Sequence, residues 1–259
     1  MVRFRVEVAA DYGGGVANKG GTSGWNGRVA LVTGAARGQG LAIARRLRSD
    51  GFEVVACDLD AKGLAEASDA GALVVAMDVA NEADWSRAIG ETVERYGQLD
   101  VLVNNAGILR RVAIGDESSE QFRHTWEVNC LGPFLGIQAA LPHLLESTSA
   151  VIVNTCSTSA LRGFTLHSSY CASKWALRGL TQALAAELGP RGIRVNALMP
   201  GPIETQMLSP EAVRRLRETG RELGRPEDAA ALVSFLVSAE ATFVSGAEFV
   251  VDGGQMASG

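Results

Sequence analysis

"TGAARGQG", residues 33–40, connects a short apolar run to a helical pattern, and the interpretation of the rest of the chain depends on it. Its three glycines let the backbone turn sharply and let phosphate groups approach the amides at a helix N-terminus. The spacing G-x-x-x-G-x-G differs from the commonest dinucleotide fingerprint, G-x-G-x-x-G, but it occupies the same place after a first strand. The stretch therefore predicts a dinucleotide-binding turn. The residues predicted to contact the cofactor there are Gly34, Arg37, Gly38, Gln39 and Gly40.

Short apolar runs alternate with helical stretches from residue 28 onward. Several of the runs are continuously apolar, which is typical of strands that are covered on both faces. This alternation predicts an α/β fold with a doubly wound parallel sheet, helices on both faces and a single domain. The predicted strands are Val29–Thr33, Glu53–Asp58, Leu73–Asp78, Leu99–Val103, Ala150–Thr155, Ile193–Leu198 and Glu248–Val251, and the predicted helices include Gly40–Asp50, Glu82–Tyr96, Ser119–Leu145 and Ser169–Leu188.

The composition is that of an ordinary globular protein, with 259 residues, 47% of them hydrophobic and 20% charged. The formal net charge is −5 and the basic residues are scattered, which argues against a nucleic-acid or anionic-membrane partner. The apolar runs are too short and too interrupted to predict a transmembrane helix. Residues 1–26 are glycine-rich and lack the apolar core of a signal peptide. We expect them to form a flexible N-terminal extension, whether a disordered arm, a vector-derived leader or the result of a misassigned start.

The cysteines and histidines form no recognisable disulfide or metal pattern. The four cysteines, at positions 57, 130, 156 and 171, lie far apart in apolar segments. This spacing predicts reduced, mostly buried thiols and a cytoplasmic protein. The three histidines have no metal-ligand spacing, so no metal site is predicted. His167 and Cys171 are four positions apart, and a thiol nucleophile at this pair is an alternative.

Asp58 ends the second predicted strand, twenty positions beyond Gly38. A carboxylate at this strand end can accept hydrogen bonds from the hydroxyls of an adenosine ribose, and it repels a 2′-phosphate. The residue therefore favours NAD over NADP. Arg37 favours NADP instead, because a guanidinium in the glycine loop can contact a 2′-phosphate. We expect Asp58 to decide the preference.

Polar or small residues also follow the third and fourth predicted strands. Asp78 and Val79 come at the end of the third strand, where an adenine ring would lie. The fourth strand leads into "NNAG", residues 104–107, at the edge where parallel sheets of this type bind ligands.

Tyr170 and Lys174 lie four positions apart, on one face of a predicted helix. A phenol has an ordinary pKa near 10 and is a poor base at neutral pH. A nearby ammonium group and a positively charged nicotinamide would stabilise the phenolate and lower that pKa. Ser157 ends the fifth predicted strand, and its hydroxyl could hydrogen-bond a substrate oxygen. The pattern predicts a tuned proton donor rather than a surface tyrosine beside a lysine.

Five motifs in this order resemble the short-chain dehydrogenase/reductase family: TGxxxGxG, NNAG, a strand-end serine, Tyr-x-x-x-Lys and a later "PG". The resemblance covers essentially all of residues 28–254. It implies a seven-stranded Rossmann-type sheet that binds a nicotinamide dinucleotide, in a dinucleotide-binding catalytic domain at residues 27–259. The catalytic residues that it implies are Asn129, Ser157, Tyr170 and Lys174.

In these terms Tyr170 resembles the general acid/base, and Lys174 resembles the residue that lowers its pKa and holds the nicotinamide ribose. Ser157 is similar to the serine that orients the carbonyl or alcohol oxygen. Asn129 is similar to an asparagine that keeps a water molecule in the proton relay. The further cofactor contacts implied by the resemblance are Asn105, Ala106 and Gly107 near the ribose and Pro200, Gly201, Ile203 and Thr205 near the carboxamide and phosphates.

The substrate is expected to lie over the nicotinamide, under a variable lid formed by residues 203–221. That segment predicts a short amphipathic helix, which favours a small or medium alcohol or ketone over a large lipid. Arg110 and Arg111 could hold an anionic substrate, although a solvated pair is the simpler interpretation. The substrate contacts predicted are Ser159, Leu161, Phe164 and His167, together with a wall at Leu109.

The function predicted from the sequence is therefore NAD(H)-dependent interconversion of a secondary alcohol and a ketone. One alternative is an NADPH-dependent 3-oxoacyl-carrier-protein reductase, which shares the motifs but which Asp58 disfavours. An alternative of another class is a non-catalytic dinucleotide sensor on the same fold. By resemblance, the chain is expected to form a homotetramer through its two long helices and its C-terminal region.

Overall fold

The computed structural model describes residues 27–218 and 222–257, so the predicted N-terminal extension lies outside the described residues. Seven strands in this part of the chain form one parallel sheet in the order β3-β2-β1-β4-β5-β6-β7. The doubly wound, seven-stranded Rossmann-type sheet is confirmed. The strands are β1 Val29–Thr33, β2 Glu53–Asp58, β3 Leu73–Ala76, β4 Val101–Asn104, β5 Val151–Thr155, β6 Arg194–Pro200 and β7 Glu248–Val251.

Helices connect the strands and cover both faces of the sheet. The helices are α1 Gly38–Ser49, α2 Ala65–Asp69, α3 Glu82–Tyr96, α4 Ser119–Trp126, α5 Gly132–Glu146, α6 Ser168–Leu188, α7 Pro210–Glu218 and α8 Pro226–Val237. One core cluster joins β1 and β2 to α1 and α8, and a second joins the other face to α3, α5 and the end of α6. The order in which strands are added reverses between β1 and β4, so the carboxyl ends of these two strands flank the crevice where such sheets bind ligands.

The predicted helix Ser119–Leu145 is not continuous. A π-helical turn, Glu127–Leu131, separates α4 from α5. Pro133 lies in the first turn of α5 and has no N–H, so the carbonyl of Asn129 four residues earlier has no α-helical donor. The irregular turn leaves the Asn129 side chain buried under the carboxyl end of the sheet.

The third strand is two residues shorter than predicted because polar contacts redirect the chain after Ala76. The N–H of Asp78 donates to the Asp84 carboxylate at 2.9 Å, and Asp78 itself accepts from Ala80 N–H at 2.9 Å. The sixth strand is longer than predicted and reaches Pro200. The "PG" turn, Pro200 and Gly201, therefore lies at the same edge of the sheet as the glycine loop.

One helical run, Ser119–Glu146, is long and apolar enough by length and composition to cross a membrane, whereas the sequence pattern predicts no such helix. Half of its most apolar stretch is buried inside the protein, where α5 packs against α3, β4 and β5. Core helices of soluble proteins meet the same criterion, so the run is weak evidence for a membrane span.

Candidate active site

A cavity of about 470 Å³ lies at the carboxyl ends of the strands. Nearly all of the predicted site residues line it, although they come from seven separate segments of the chain. The two exceptions are Asn129 and Leu161. The predicted residues in the lining are Gly34, Arg37, Gly38, Gln39, Gly40, Asp58, Asp78, Val79, Asn105, Ala106, Gly107, Ser157, Ser159, Phe164, His167, Tyr170, Lys174, Pro200, Gly201, Ile203 and Thr205.

The glycine loop has backbone angles and contacts that require glycine. Gly34 and Gly38 have φ values of +66° and +55°, in the left-handed region. A Cβ on Gly40 would lie 2.0 Å from the Gly34 carbonyl oxygen, a distance that no substitution can tolerate without backbone movement. The loop ends at the N-terminus of α1, whose N-cap residue Arg37 forms no side-chain cap. The first-turn amides therefore face the cavity as an anion-binding site.

Asn105 holds the NNAG loop against the glycine loop. Its amide nitrogen donates to the Thr33 carbonyl at 2.9 Å, and its backbone N–H donates to the Thr33 hydroxyl at 3.0 Å. The Ala106 N–H donates to the same hydroxyl at 3.1 Å. The two loops thus form one surface whose geometry is set by hydrogen bonds within the protein.

Asp58 lies at the end of β2, with both carboxylate oxygens fixed by backbone donors. Oδ2 accepts from Ala36 N–H and Oδ1 accepts from Asp60 N–H, each at 3.0 Å. Arg37 forms an ion pair with Asp60 at 3.2 Å, on a largely exposed part of the rim. The guanidinium that could have contacted a 2′-phosphate is therefore directed toward a second carboxylate.

Tyr170 and Lys174 project from the first two turns of α6 toward the end of β5. Both side chains are buried, and the lysine Nζ lies 5.9 Å from the tyrosine ring centroid. Lys174 Nζ donates to the Thr155 carbonyl at 2.7 Å. The Ser157 hydroxyl hydrogen-bonds the Tyr170 phenol and accepts from Ser159 N–H at 3.1 Å. Serine, tyrosine and lysine are thus brought together in one buried cluster.

Burial shifts the pKa values of both groups toward their neutral forms. Desolvation raises the pKa of Tyr170 to about 12, against a smaller lowering by the hydrogen bond from Ser157. Desolvation also lowers the pKa of Lys174 to about 8. The lowering of the Tyr170 pKa by Lys174 together with a positively charged nicotinamide stays a prediction, since in the protein alone desolvation is the largest cause and acts in the opposite direction.

Asn129 lies behind the cavity wall rather than in it. Its amide nitrogen donates to the Ile108 carbonyl at 2.9 Å and to the Ser173 hydroxyl at 3.1 Å, and its oxygen accepts from Ile108 N–H at 2.8 Å. The side chain is therefore occupied with holding the segment after NNAG against α6. The Asn129 main-chain carbonyl is the group that Pro133 leaves without an α-helical donor.

A matching family model and similar proteins identify the class of this chain. A family model described as enoyl-(acyl carrier protein) reductase matches residues 34–256. A trans-4-hydroxycyclohexanecarboxylate dehydrogenase of Sinomonas cyclohexanicum is 39% identical, covering 89% of this chain and 93% of the relative. A 3-alpha-(or 20-beta)-hydroxysteroid dehydrogenase of Mycobacterium bovis is 42% identical, covering 89% of this chain and 90% of the relative.

A solved structure of the 3-ketoacyl-(acyl-carrier-protein) reductase from Brucella melitensis, complexed with NADH, is also similar. It is 35% identical, covers 89% of this chain and 99% of its own, and superposes with a TM-score of 0.85. The chain belongs to the short-chain dehydrogenase/reductase family. It is an NAD(P)-dependent oxidoreductase that acts on CH–OH groups.

The substrate side of this short-chain dehydrogenase/reductase differs in part from the sequence-based expectation. Phe164, His167 and Ser159 line the cavity, but Leu161 does not. Leu161 turns into the protein because an apolar cluster lies beneath it. The cluster consists of Cys156, Ala160, Leu177, Ala197 and Met199.

The thiol-nucleophile alternative has no support in the geometry. His167 Nδ1 lies 2.6 Å from the Thr165 carbonyl, and His167 Nε2 accepts from Arg111 Nε at 3.2 Å. Both ring nitrogens are thereby engaged away from Cys171. Desolvation is the main cause that lowers the pKa of His167, so the neutral ring with Nδ1 protonated fits both contacts.

Several residues that sequence reasoning missed also line the cavity. Arg162 follows the short helical turn after Ser157 and has no motif that would mark it. Met207, Leu208 and Leu216, by contrast, belong to the segment 203–221 that was predicted to cover the substrate, and the short helix predicted there is α7. Within residues 27–218 and 222–257, no group of three or more His, Cys, Asp or Glu side chains could hold a metal ion.

Proposed function

We propose that the protein interconverts a secondary alcohol and a ketone, uses NAD(H) in preference to NADP(H), and employs Tyr170 as the general acid/base. The observation that carries this proposal is the cluster of Ser157, Tyr170 and Lys174 in the same cavity as the glycine loop. A sensor that only bound the dinucleotide would have no use for a buried, hydrogen-bonded phenol beside a lysine.

The residues present fit a nicotinamide dinucleotide. The glycine loop offers the amides of a helix N-terminus for a pyrophosphate, and Asp58 offers a fixed carboxylate for a ribose. Two buried polar atoms in the cavity wall, Gln39 Oε1 and Thr155 Oγ1, have no hydrogen-bond partner within the described residues. Unpartnered buried groups of this kind are accounted for when a polar ligand supplies the missing contacts.

The chemistry proposed for the protein side is proton transfer at a held oxygen. When bound, the nicotinamide ring exchanges the hydride with the carbinol carbon. Ser157 hydrogen-bonds the reacting oxygen, and Tyr170 donates a proton to it on ketone reduction or accepts one on alcohol oxidation. Lys174 adds positive charge beside the phenol, which stabilises the phenolate when it forms. The main-chain carbonyl of Asn129 is the acceptor that we propose holds the relay water.

The preference for NAD rests on two carboxylates at the rim. Asp58 would face the 2′ position of the adenosine ribose, where a phosphate would bring a second negative charge against it. Arg37, the cation that could compensate, is paired with Asp60. We therefore propose NAD as the working cofactor.

A second candidate function is a 3-oxoacyl-carrier-protein reductase. It is favoured by the likeness to the Brucella reductase and by the description of the matching family model. The relatives from Sinomonas and Mycobacterium are named instead for a ring hydroxy acid and for hydroxysteroids. Turnover of 3-oxoacyl thioesters with NADPH, at rates above those for simple ketones with NADH, would favour the second candidate.

We also propose a cytoplasmic homotetramer. Large apolar side chains on α4, α5 and α6 are more than one-third exposed in the single chain, and contact with another copy would remove them from water. A monomeric mass by light scattering would contradict this proposal. The side chains are Phe122, Trp126, Phe134 and Trp175.

The deciding experiment is Tyr170→Phe, with Tyr96→Phe as the matched control. Removing the Tyr170 hydroxyl deletes the proposed proton donor, so we expect turnover of secondary alcohols to fall by about a thousandfold or more. Tyr96 ends α3 and does not line the cavity, so its loss should leave turnover unchanged. Absorbance at the nicotinamide band measures turnover with NAD and with NADP, and calorimetry measures NAD binding. Unchanged turnover in Tyr170→Phe would overturn the mechanism.

A further inference from the structure

Two arginines lie at the catalytic end of the cavity without an acidic partner. Arg111 follows the NNAG loop and Arg162 follows the turn after Ser157, and both line the cavity. Arg111 donates only to the neutral His167 ring at 3.2 Å, and Arg162 stacks on the Phe164 ring at 4.9 Å. Within residues 27–218 and 222–257, no ion pair to a carboxylate involves either guanidinium.

A backbone hydrogen bond connects the two loops that carry these arginines. The Val112 N–H donates to the Leu166 carbonyl at 2.9 Å, which ties the loop after β4 to the loop before α6. Leu166 has a φ of +65°, the one described non-glycine residue in the left-handed region. Such strain persists where the surrounding structure demands it, and it concentrates at functional sites.

The arginines lie close to the reacting group. The His167 ring, which contacts Arg111, has its centroid 6.3 Å from that of Tyr170. The same ring is 6.1 Å from that of Phe164, on which Arg162 stacks. Each guanidinium is thus connected to the catalytic phenol through contacts with one or two aromatic rings.

The acidic residues of the cavity are engaged elsewhere. Asp58 and Asp78 accept from backbone donors on the dinucleotide side. Asp252 accepts from Gly254 N–H at 2.9 Å and from Met256 N–H at 2.7 Å. Within the described residues, the two guanidiniums at the catalytic end of the cavity therefore have no carboxylate of the protein directed at them. The apolar part of the cavity lining includes Leu109, Val128, Met207, Leu208 and Met256.

We propose that the substrate is a hydroxy acid: a secondary alcohol on a compact apolar ring or short chain that carries one carboxylate, held by Arg111 and Arg162. This inference rests on the proposed function, since the alcohol is oxidised at the same site. Guanidinium groups bind carboxylates through paired, charge-assisted hydrogen bonds, and a ligand carboxylate supplies the partner that the protein withholds. The hydride leaves with the cofactor and the proton with Tyr170, so the carboxylate is unchanged by the reaction.

The test compares acids with their uncharged amides. The probes are 3-hydroxybutyrate and 4-hydroxycyclohexanecarboxylate, each beside its carboxamide, with kcat and KM measured for Arg111→Gln, Arg162→Gln and the control Arg110→Gln. Arg110 is the neighbour of Arg111 but does not line the cavity. A charge-assisted bond predicts that the acid is preferred over the amide by about tenfold or more in kcat/KM, chiefly through KM. Each cavity variant should reduce this preference, and Arg110→Gln should retain it.

A binding measurement separates this proposal from the proposed function. Cyclohexanecarboxylate has no carbinol group and cannot be oxidised by this reaction. Its calorimetric affinity for the enzyme with NADH therefore measures how much the two arginines contribute to binding a carboxylate, without turnover. We expect it to bind about tenfold or more tightly than cyclohexanecarboxamide in the wild type and not in Arg111→Gln or Arg162→Gln. Equal binding and equal turnover of acids and amides would overturn the hydroxy-acid proposal alone. If the wild type bound cyclohexanecarboxylate selectively but turned over none of the alcohols, acid or amide, the proposed function would be overturned instead.

Discussion

The two ends of the cavity are built differently. The dinucleotide side, defined by residues 33–40, 58–60 and 104–107, is held by hydrogen bonds within the protein, as Thr33, Asp58 and Asn105 show. The substrate side is defined by residues 109–116 and 161–167. It has guanidiniums without a carboxylate partner within the described residues, a leucine whose backbone lies in the left-handed region, and largely exposed apolar side chains. The loops of the dinucleotide side are tied to each other before any ligand arrives, whereas the guanidiniums of the substrate side have no carboxylate partner within the described residues.

This difference teaches where selectivity resides. A surface whose loops are already held together by hydrogen bonds can bind a constant ligand with little reorganisation, because its binding geometry is preformed. Unpaired charges discriminate among ligands, because a substrate that lacks the complementary group leaves them without a partner. We therefore expect substitutions on the dinucleotide side to affect folding and cofactor binding, and those on the substrate side to affect substrate choice.

The largest effect is expected from an added methyl group in the glycine loop. Gly40→Ala places a Cβ 2.0 Å from the Gly34 carbonyl oxygen, so the backbone of the dinucleotide side must shift. We expect the free energy of unfolding to fall by about 3 kcal/mol and NAD affinity to fall by about tenfold or more. Urea unfolding and calorimetry measure the two effects.

The matched control is the same substitution on the substrate side. A Cβ on Gly163 would have no neighbouring atom within 4 Å, and the residue has no positive φ, so Gly163→Ala meets open space. Its free energy of unfolding should change by less than about 0.5 kcal/mol. A larger loss in Gly163→Ala than in Gly40→Ala would contradict the contrast between the two sides.

A smaller effect is expected at Lys174, which lies where the two sides meet. Burial lowers its pKa from 10.5 to about 8, so the folded protein binds fewer protons than the unfolded chain between these pH values. Burying the charged ammonium therefore destabilises the folded protein most at pH values below 8, and this destabilisation disappears as the pH rises toward 10.5. The free energy of unfolding of the wild type, relative to Lys174→Met, should therefore rise by about 2 kcal/mol between about pH 7.5 and about pH 9.5.

Lys62→Met provides the comparison for this measurement, because Lys62 is an exposed lysine. Urea unfolding of the apoenzyme at both pH values should show no such rise for the wild type relative to Lys62→Met. If the wild type and Lys174→Met changed in parallel with pH, the lysine would have its ordinary pKa in the folded protein.

The smallest effect concerns cofactor choice at Asp58. Asp58→Ser removes the charge that opposes a 2′-phosphate and leaves a hydroxyl for the ribose or the Ala36 N–H. The ratio of kcat/KM for NADP to that for NAD should rise by about tenfold, which reflects one charge-assisted contact. Asp69→Ser, on the exposed face of α2, makes the same charge change away from the cavity and should leave the ratio unaltered. An unchanged ratio in Asp58→Ser would show that this carboxylate does not select the cofactor.

Much of the fold follows from patterns within short segments. Continuous apolar runs predicted the strands, and the bounds of β1, β2 and β7 agree with the structure. The break between α4 and α5 was missed because apolar periodicity continues through it, while the cause is one proline without a donor. At the site, the glycine spacing and the Tyr170 and Lys174 pair were recognisable because their geometry is local. Leu161 was misplaced because its direction depends on an apolar cluster built from three other segments.

The sequence by itself determined the parallel α/β architecture, the glycine loop and the family motifs, since steric freedom, helical spacing and strand periodicity act between near neighbours. Only the tertiary structure decided that Arg111 and Arg162, about fifty residues apart, line the same cavity as Tyr170, and that Arg37 is paired with Asp60. It also decided the direction of the Tyr170 pKa, because burial depends on every segment that excludes water from the phenol. The charge and reactivity of the site depend on which loops, distant in sequence, lie next to one another, and only the folded chain determines that.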